Sequence, residues 1–407
     1  MAGDGGTMAF DVALAQVLRE AGRVHVPETE SVGLLAALGR VLAEPVVADR
    51  DQPPFNRATR DGFAVRAADV GAEMEVMGQV RAGERWTGEE MTEGQAIEIM
   101  TGAPMPTGAD AVVMVEHVAV VGGRVRVEDG RRASVGENVV PRGAEARAGD
   151  AVLEERVVMG AAEVALASAC GAASVRVFGR PRVAIVATGD ELVEIEETPK
   201  DWQVRNSNSY GLAALVMAAG GEAVRLPIAR DQREELRGAL DEARRCDLVL
   251  LSGGVSMGKY DLVEKVLAES GAEFFFTGVR MQPGKPVVFG RLPASGEREG
   301  RYFFGLPGNP VSTQVTFHCF VGPMLRALGG AAVEEPRFVR AVLAEDVAGK
   351  AGLVRMLPAR LTPEWVQLVG WKGSGDLGAN ARANCYAVLP GDVVEFRTGD
   401  TISVLLR

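Results

Sequence analysis

Between Arg180 and Gly329, short apolar runs alternate with helical patterns and glycine-rich loops, the order expected of a parallel α/β sheet. Val183 to Ala187 (VAIVA) is apolar at every position and predicts a strand buried on both faces, ending in Thr188-Gly189-Asp190-Glu191. Tyr210 to Ala219 reads as a helix closed by Gly220, and Val224 to Ile228 as a second strand. Asp231 and Glu234 have capping-box spacing ahead of Leu236, Ala239, Leu240 and Ala243, which recur with helical period. Leu248 to Leu251 predicts the next strand and runs into Ser252-Gly253-Gly254. Phe274 to Phe276, Val287 to Phe289 and Tyr302 to Phe304 predict further strands, and Val311 to Leu328 a closing helix. Ligands of open α/β sheets lie beyond the carboxyl ends of the strands, so the polar loops there mark a site.

Upstream, the pattern predicts helices near Phe10 to Ala21 and Glu30 to Leu42, then short strands from about Ala48 to Asp150. Glu73 to Val80, Ala111 to Val121 and Arg124 to Val127 alternate or are β-branched, with Gly122-Gly123 as a hairpin turn, and Ala161 to Ala169 is a small-residue helix. Arg337 to Arg407 reads as short strands broken by Pro and Gly, a small β-barrel. The expected fold is multidomain α/β plus β. It has a mixed N-terminal region over 1–179 with an inserted β domain at about 48–150, a doubly wound α/β domain over 180–330 and a β-barrel over 331–407.

Length agrees, since 407 residues exceed the roughly 250 to 300 at which single cores stop growing. A net charge of -11 and a pI near 5.1 argue against nucleic acid or an anionic membrane as partner, because both need clustered Lys and Arg. An anionic small ligand would need a local positive pocket. The apolar runs are strand-sized, far below the ~20 residues of a bilayer span. The N-terminus is acidic and lacks a secretory core, so a cytoplasmic protein is expected. Cys170, Cys246, Cys319 and Cys385 are scattered, as are His25, His117 and His318, which points to buried thiols and away from zinc.

Five loops carry candidate chemistry. Ser252 to Lys259 (SGGVSMGK) follows a strand and satisfies the front of a phosphate-binding loop, but Tyr260 stands where the magnesium-binding Ser or Thr would be. The nucleoside-triphosphatase reading therefore falls. Small residues such as Ser252, Gly253, Gly254 and Ser256 can still present backbone N–H groups to an oxyanion. MQPGKP places Lys285 between two prolines, as an anion contact or a solvated lysine. LPGNPVS sets Gly308, Asn309 and Ser312 at a strand-to-helix junction, where an oxyanion would meet the helix's positive end, with a plain helix cap as the alternative for Asn309. Asp190, Glu191, Asp231 and Asp261 follow predicted strand ends, and carboxylates sharing a rim repel unless a metal or catalysis holds them there. Asp231 is equally explained as a cap.

Taken in order and spacing, PPFNRATRDGFAV, MTGAPMPTGADAVVMVE, GENVVPRGAEARAGD, ATGDEL, SGGVSMGKYD, QPGKP and LPGNPVS resemble the molybdopterin molybdenumtransferase family, to which the C-terminal domain of gephyrin belongs. The resemblance spans essentially the whole chain. It implies an elongated homodimer with an active cleft between the α/β domain of one subunit and the inserted β domain of the other. It also implies a reaction in which adenylylated molybdopterin and molybdate, with Mg2+, yield AMP and molybdenum cofactor. Carried over by residue, Asp61 and Thr101 match functional positions of the N-terminal region, and Asp190 and Glu191 the GDEL pair. Asp231 and Asp261 match positions of the metal and of hydrolysis, and Lys285 and Ser312 positions of molybdate binding. Gly253, Gly254, Ser256, Gly308 and Asn309 would shape the pterin phosphate site. Gln282 stands where many relatives have a second lysine, and Asn206 where an aspartate is frequent. Implied partners are a molybdopterin adenylyltransferase upstream and molybdoenzymes downstream. The alternatives are a gephyrin-like scaffold that binds a partner's peptide, and a molybdopterin adenylyltransferase, which would not need the flanking domains.

Overall fold

A computed structural model describes residues 7–254, 262–294 and 300–407. The candidates Ser256 and Asp261 therefore lie outside the described residues. The chain divides into two units, one of residues 1–31, 39–43 and 176–407, the other of residues 32–38 and 44–175.

The first unit begins with α1 (Phe10–Ala21), whose Ala13, Leu14, Val17 and Ala21 recur at helical spacing on one buried face. The second helix expected over Glu30 to Leu42 does not form. Thr29–Gly33 is extended, only Leu34–Ala37 makes a helical turn, and Gly39 at φ 73° ends it. The physical reason lies downstream: the Val41 carbonyl accepts from the Phe178 N–H, and the Ala43 N–H donates to the Arg176 carbonyl, a ladder that a helix would break.

The second unit is built on a six-stranded sheet of β1 (Gly62–Val65), β2 (Glu73–Val80), β3 (Gln95–Ile99), β4 (Ala111–Met114), β5 (Val118–Val121) and β6 (Arg124–Val127), in the order β4-β1-β3-β2-β6-β5. Gly122 and Gly123, at φ 59° and 79°, close the β5–β6 hairpin as a two-residue turn requires. Helix α2 (Ala161–Ala169) follows.

Back in the first unit, the central sheet has β7 (Arg182–Ala187), β8 (Glu222–Arg225), β9 (Leu248–Ser252), β10 (Glu273–Thr277), β11 (Val288–Leu292) and β12 (Arg301–Leu306), in the order β8-β7-β9-β12-β11-β10. The pairs β8/β7, β7/β9 and β9/β12 are parallel, and the last two pairs antiparallel. Alternate residues feed two cores. Val183, Ile185, Leu248 and Leu250 face α1, α3 (Ser207–Ala218), α6 (Pro310–Thr316) and α7 (Gly322–Leu328), while Ala184, Val186, Val249 and Leu251 face α4 (Arg233–Ala243) and α5 (Leu262–Glu269). Strands covered on both sides must be apolar throughout, which explains VAIVA.

Three local expectations are corrected. The strand expected over Val224 to Ile228 sits two residues earlier, because Pro227 has no N–H to extend the ladder beyond Leu226. The capping box at Asp231 and Glu234 is absent: Gln232 precedes α4 without a side-chain bond, and Glu235 instead accepts from the Arg230 N–H at 2.9 Å. The closing helix is interrupted between α6 and α7 by a π turn, Phe317–Val321.

The C-terminal sheet contains β13 (Phe338–Val342), β14 (Val354–Leu361), β15 (Val366–Leu368), β16 (Cys385–Leu389) and β17 (Thr401–Leu406), with α8 (Leu377–Arg382) between β15 and β16. Met281-Gln282 extends it by pairing in parallel with Val354-Arg355. All four cysteines are buried and unpaired, as expected.

Candidate active site

The register of the central sheet places Ala187, Ser252 and Leu306 side by side at the carboxyl ends of β7, β9 and β12. The loops that follow these three residues line one cleft of about 620 Å³, a small-molecule volume. Of the candidates, Glu191, Ser252, Gly253, Gly254, Gly308 and Asn309 line it, together with Thr188, Arg205, Asn206, Asn208, Pro286 and, from the C-terminal segment, Gly375 and Leu377.

Gly253 and Gly254 are required by geometry. Both have left-handed φ, 94° and 63°, and a Cβ would stand 2.4 Å from the Thr188 carbonyl at the first and 2.7 Å from the Thr188 hydroxyl at the second. The Gly253 N–H is already taken by the Leu306 carbonyl at 3.2 Å. Of these two, Gly254 is the one whose N–H has no acceptor among the described residues. Asn208, in the first turn of α3, joins the two loops: its Nδ2 donates to Ser252 Oγ at 2.9 Å and to the Gly308 carbonyl at 2.8 Å. Asn206 sets that turn by accepting from the Ser209 N–H at 3.2 Å. An asparagine there caps the helix as an aspartate would.

Asp190 and Asp231 meet at the rim, where the Asp231 N–H donates to Asp190 Oδ1 at 3.2 Å. Burial, and then the charges of Asp190 and Glu191, raise the Asp231 carboxyl above its ordinary range. Arg230 fixes the turn through the Asp190 and Leu192 carbonyls at 3.0 and 3.1 Å. Lys285 is exposed and adjoins the lining residue Pro286 without lining the cleft. Ser312 is buried within α6, behind Asn309, which precedes that helix without a side-chain cap bond. The cap reading of Asn309 therefore fails as well. Among the described residues no group of three His, Cys, Asp or Glu side chains is placed to hold a metal by itself.

In the other unit, β1 and β3 pair so that Gly62 faces Ile99, bringing Asp61 to Thr101. Asp61 Oδ1 accepts from the Thr101 N–H at 2.6 Å and from its hydroxyl at 2.7 Å. These two donors, the N–H first, hold the Asp61 carboxyl below its ordinary range.

Sequence reasoning did not single out Thr188, Arg205 or Asn208. A signal existed for the last, because the Asn-Ser-Asn triplet marks a helix start. Thr188 and Arg205 had none, since nothing local says that they face a cleft.

Three family models match successive stretches of the chain. Residues 8–171 match the family described as MoeA N-terminal region (domain I and II), 184–327 a probable molybdopterin binding domain, and 340–406 the MoeA C-terminal region (domain IV). The chain is 37% identical to a molybdopterin molybdenumtransferase from Nostoc sp. over 396 residues, covering 93% of this chain and 88% of that one. It is 32% identical to one from Staphylococcus aureus, covering 92% and 90%. A crystal structure of a molybdopterin biosynthesis moeA protein from Pyrococcus horikoshii superposes with a TM-score of 0.81 at 30% identity, over 98% of this chain and all of the other. Among the described residues, no helix is long and apolar enough to cross a membrane.

Proposed function

The chain belongs to the molybdopterin molybdenumtransferase family, as a transferase of molybdenum-cofactor biosynthesis, and from that premise we propose that it takes molybdenum from molybdate into adenylylated molybdopterin, releasing AMP. The observation that carries this reading is the cleft at the carboxyl ends of β7, β9 and β12, where Asn208 ties the Ser252 and Gly308 loops together. Gly254 offers its N–H to phosphate oxygens, with Gly253, Gly308 and Asn309 shaping the floor, and Ser256 is assigned to the same site. Lys285 and Ser312 are assigned to molybdate. Asp61 and Thr101 are assigned as functional residues of the N-terminal region.

Asp190, Glu191, Asp231 and Asp261 are assigned to hydrolysis. The oxygen donors of Asp231 and Asp261 suit Mg2+, a hard cation. When bound, the cation would neutralise charge on the phosphate linkage. The scaffold and adenylyltransferase alternatives receive no specific support.

The same proposal takes 1–179, 180–330 and 331–407 as domains, with the insertion at about 48–150, and a homodimer in the cytoplasm. Exposed Leu35 and Leu38, 87% and 58% accessible, support self-association, and four unpaired cysteines suit a reducing compartment. A molybdopterin adenylyltransferase and molybdoenzymes are its proposed partners.

The test incubates the purified protein with adenylylated molybdopterin, magnesium and molybdate. AMP release with molybdenum incorporation is expected. Intact adenylylated pterin after prolonged incubation overturns the reading.

A further inference from the structure

The cleft contains a cation that none of the motifs includes. Arg205 lines it, immediately ahead of Asn206 and α3. Its Nε–H is shared between the carbonyls of Ile195 and Glu197 at 3.1 and 3.2 Å, so main chain, and no carboxylate, holds the base of the guanidinium. The only other charged side chain on the described lining is Glu191. Gln282 is neutral and Lys285 stands off the lining, which leaves Arg205 as the cation of the cleft among the described residues.

An acidic protein that binds an anion must supply positive charge locally. A guanidinium anchored at Nε keeps four N–H donors at its terminal nitrogens, arranged in the planar fork that meets two phosphate oxygens together. A second donor points to the same need. The Thr188 hydroxyl, on the lining beside Gly254, is only 2% accessible as a residue and has no hydrogen-bond partner among the described residues. A buried hydroxyl at a cleft wall without a partner is one that a ligand can satisfy.

We propose that Arg205 is the phosphate grip of this cleft, holding the phosphate of the adenylylated substrate by a forked hydrogen bond, with Thr188 as a neutral donor on the same wall. The inference rests on the activity proposed above.

Calorimetric titration of AMP, and separately of adenosine, into wild type, Arg205→Ala and Arg205→Lys tests it, with thermal melting of each protein. Arg205→Ala is expected to weaken AMP binding by about 10- to 100-fold. Adenosine affinity should be unchanged, and Arg205→Lys should restore part of the loss. An unchanged AMP affinity in Arg205→Ala overturns the proposal, as does an equal loss for adenosine and AMP, or wild type that binds no AMP. Should Arg205→Ala melt well below wild type, Arg205→Gln, which can still donate to a main-chain carbonyl, replaces it under the same criteria. AMP release from adenylylated pterin by the wild type is followed in parallel. Turnover with an Arg205-independent AMP affinity rejects the grip alone, whereas absent turnover rejects the activity.

Discussion

Asn208 donates to the Ser252 hydroxyl at 2.9 Å, and the same amide nitrogen reaches the Gly308 carbonyl at 2.8 Å. One side chain of α3 thereby sets the spacing of the two loops that follow β9 and β12. Asn208→Ala removes both bonds, each worth about 0.5–1.5 kcal/mol. AMP release is expected to fall at least tenfold, with a loss of no more than a few degrees in Tm. Asn208→Asp cannot donate and should fail in the same way. Full activity in Asn208→Ala shows the bridge to be dispensable.

Gly254→Ala should be more damaging to stability than a surface glycine change. The residue has φ 63°, and the added Cβ would lie 2.6 Å from Val263 Cγ2 and 2.7 Å from the Thr188 hydroxyl. Strain of this kind costs about 1–3 kcal/mol, to which the clash adds. Gly122→Ala provides the control, at φ 59° with nothing within 4 Å of its Cβ. Denaturant melts showing equal losses for the two would remove steric approach as the reason for glycine at 254.

His318 makes stability depend on mild acid. Burial first, and then the charges of Arg407 and Arg326, lower its pKa from 6.5 to about 4. The unfolded chain therefore binds a proton that the folded one refuses. This histidine's contribution is complete above pH 6.5 and is lost as the pH falls toward 4, at most roughly 3 kcal/mol. His318→Phe should flatten that part of the stability-pH curve while leaving the carboxylate-driven part. Parallel curves for the two proteins between pH 6.5 and 4 would show that His318 titrates normally.

Lys285→Ala should weaken the use of molybdate more than the binding of adenylylated pterin. The lysine is exposed beside Pro286, the lining residue, so it can reach an oxyanion at the cleft mouth without forming the wall. Molybdate titrated at saturating pterin separates the two effects. An unchanged molybdate dependence makes Lys285 a solvated surface residue.

The Leu35 and Leu38 side chains have most of their surface in water, so Leu35→Asp with Leu38→Asp should shift a homodimer toward monomer. Light scattering at micromolar concentration checks it. A wild type with the mass of one chain, 43.0 kDa, excludes the dimer outright.

What the sequence determined by itself was whatever local periodicity and local turn chemistry enforce. VAIVA had to be a strand buried on both faces because no polar position interrupts it, and α1 ends where its apolar period ends. Gly253-Gly254 and Pro307-Gly308-Asn309 were legible as loops after strands because glycine and proline punctuate a chain whatever surrounds them. Tertiary structure decided the rest. Leu34 to Leu42 has enough apolar residues for a helix, yet Val41 and Ala43 bond to Phe178 and Arg176, residues more than a hundred positions away that no local window contains. Asp231 had the spacing of a cap, but its N–H is drawn to Asp190 across the sheet's edge. Thr188, Arg205 and Asn208 came to line one cleft only when parallel register brought three strand ends level. Which side chains then share a cleft depends on the alignment of distant segments, a relationship that residue order along one chain does not express.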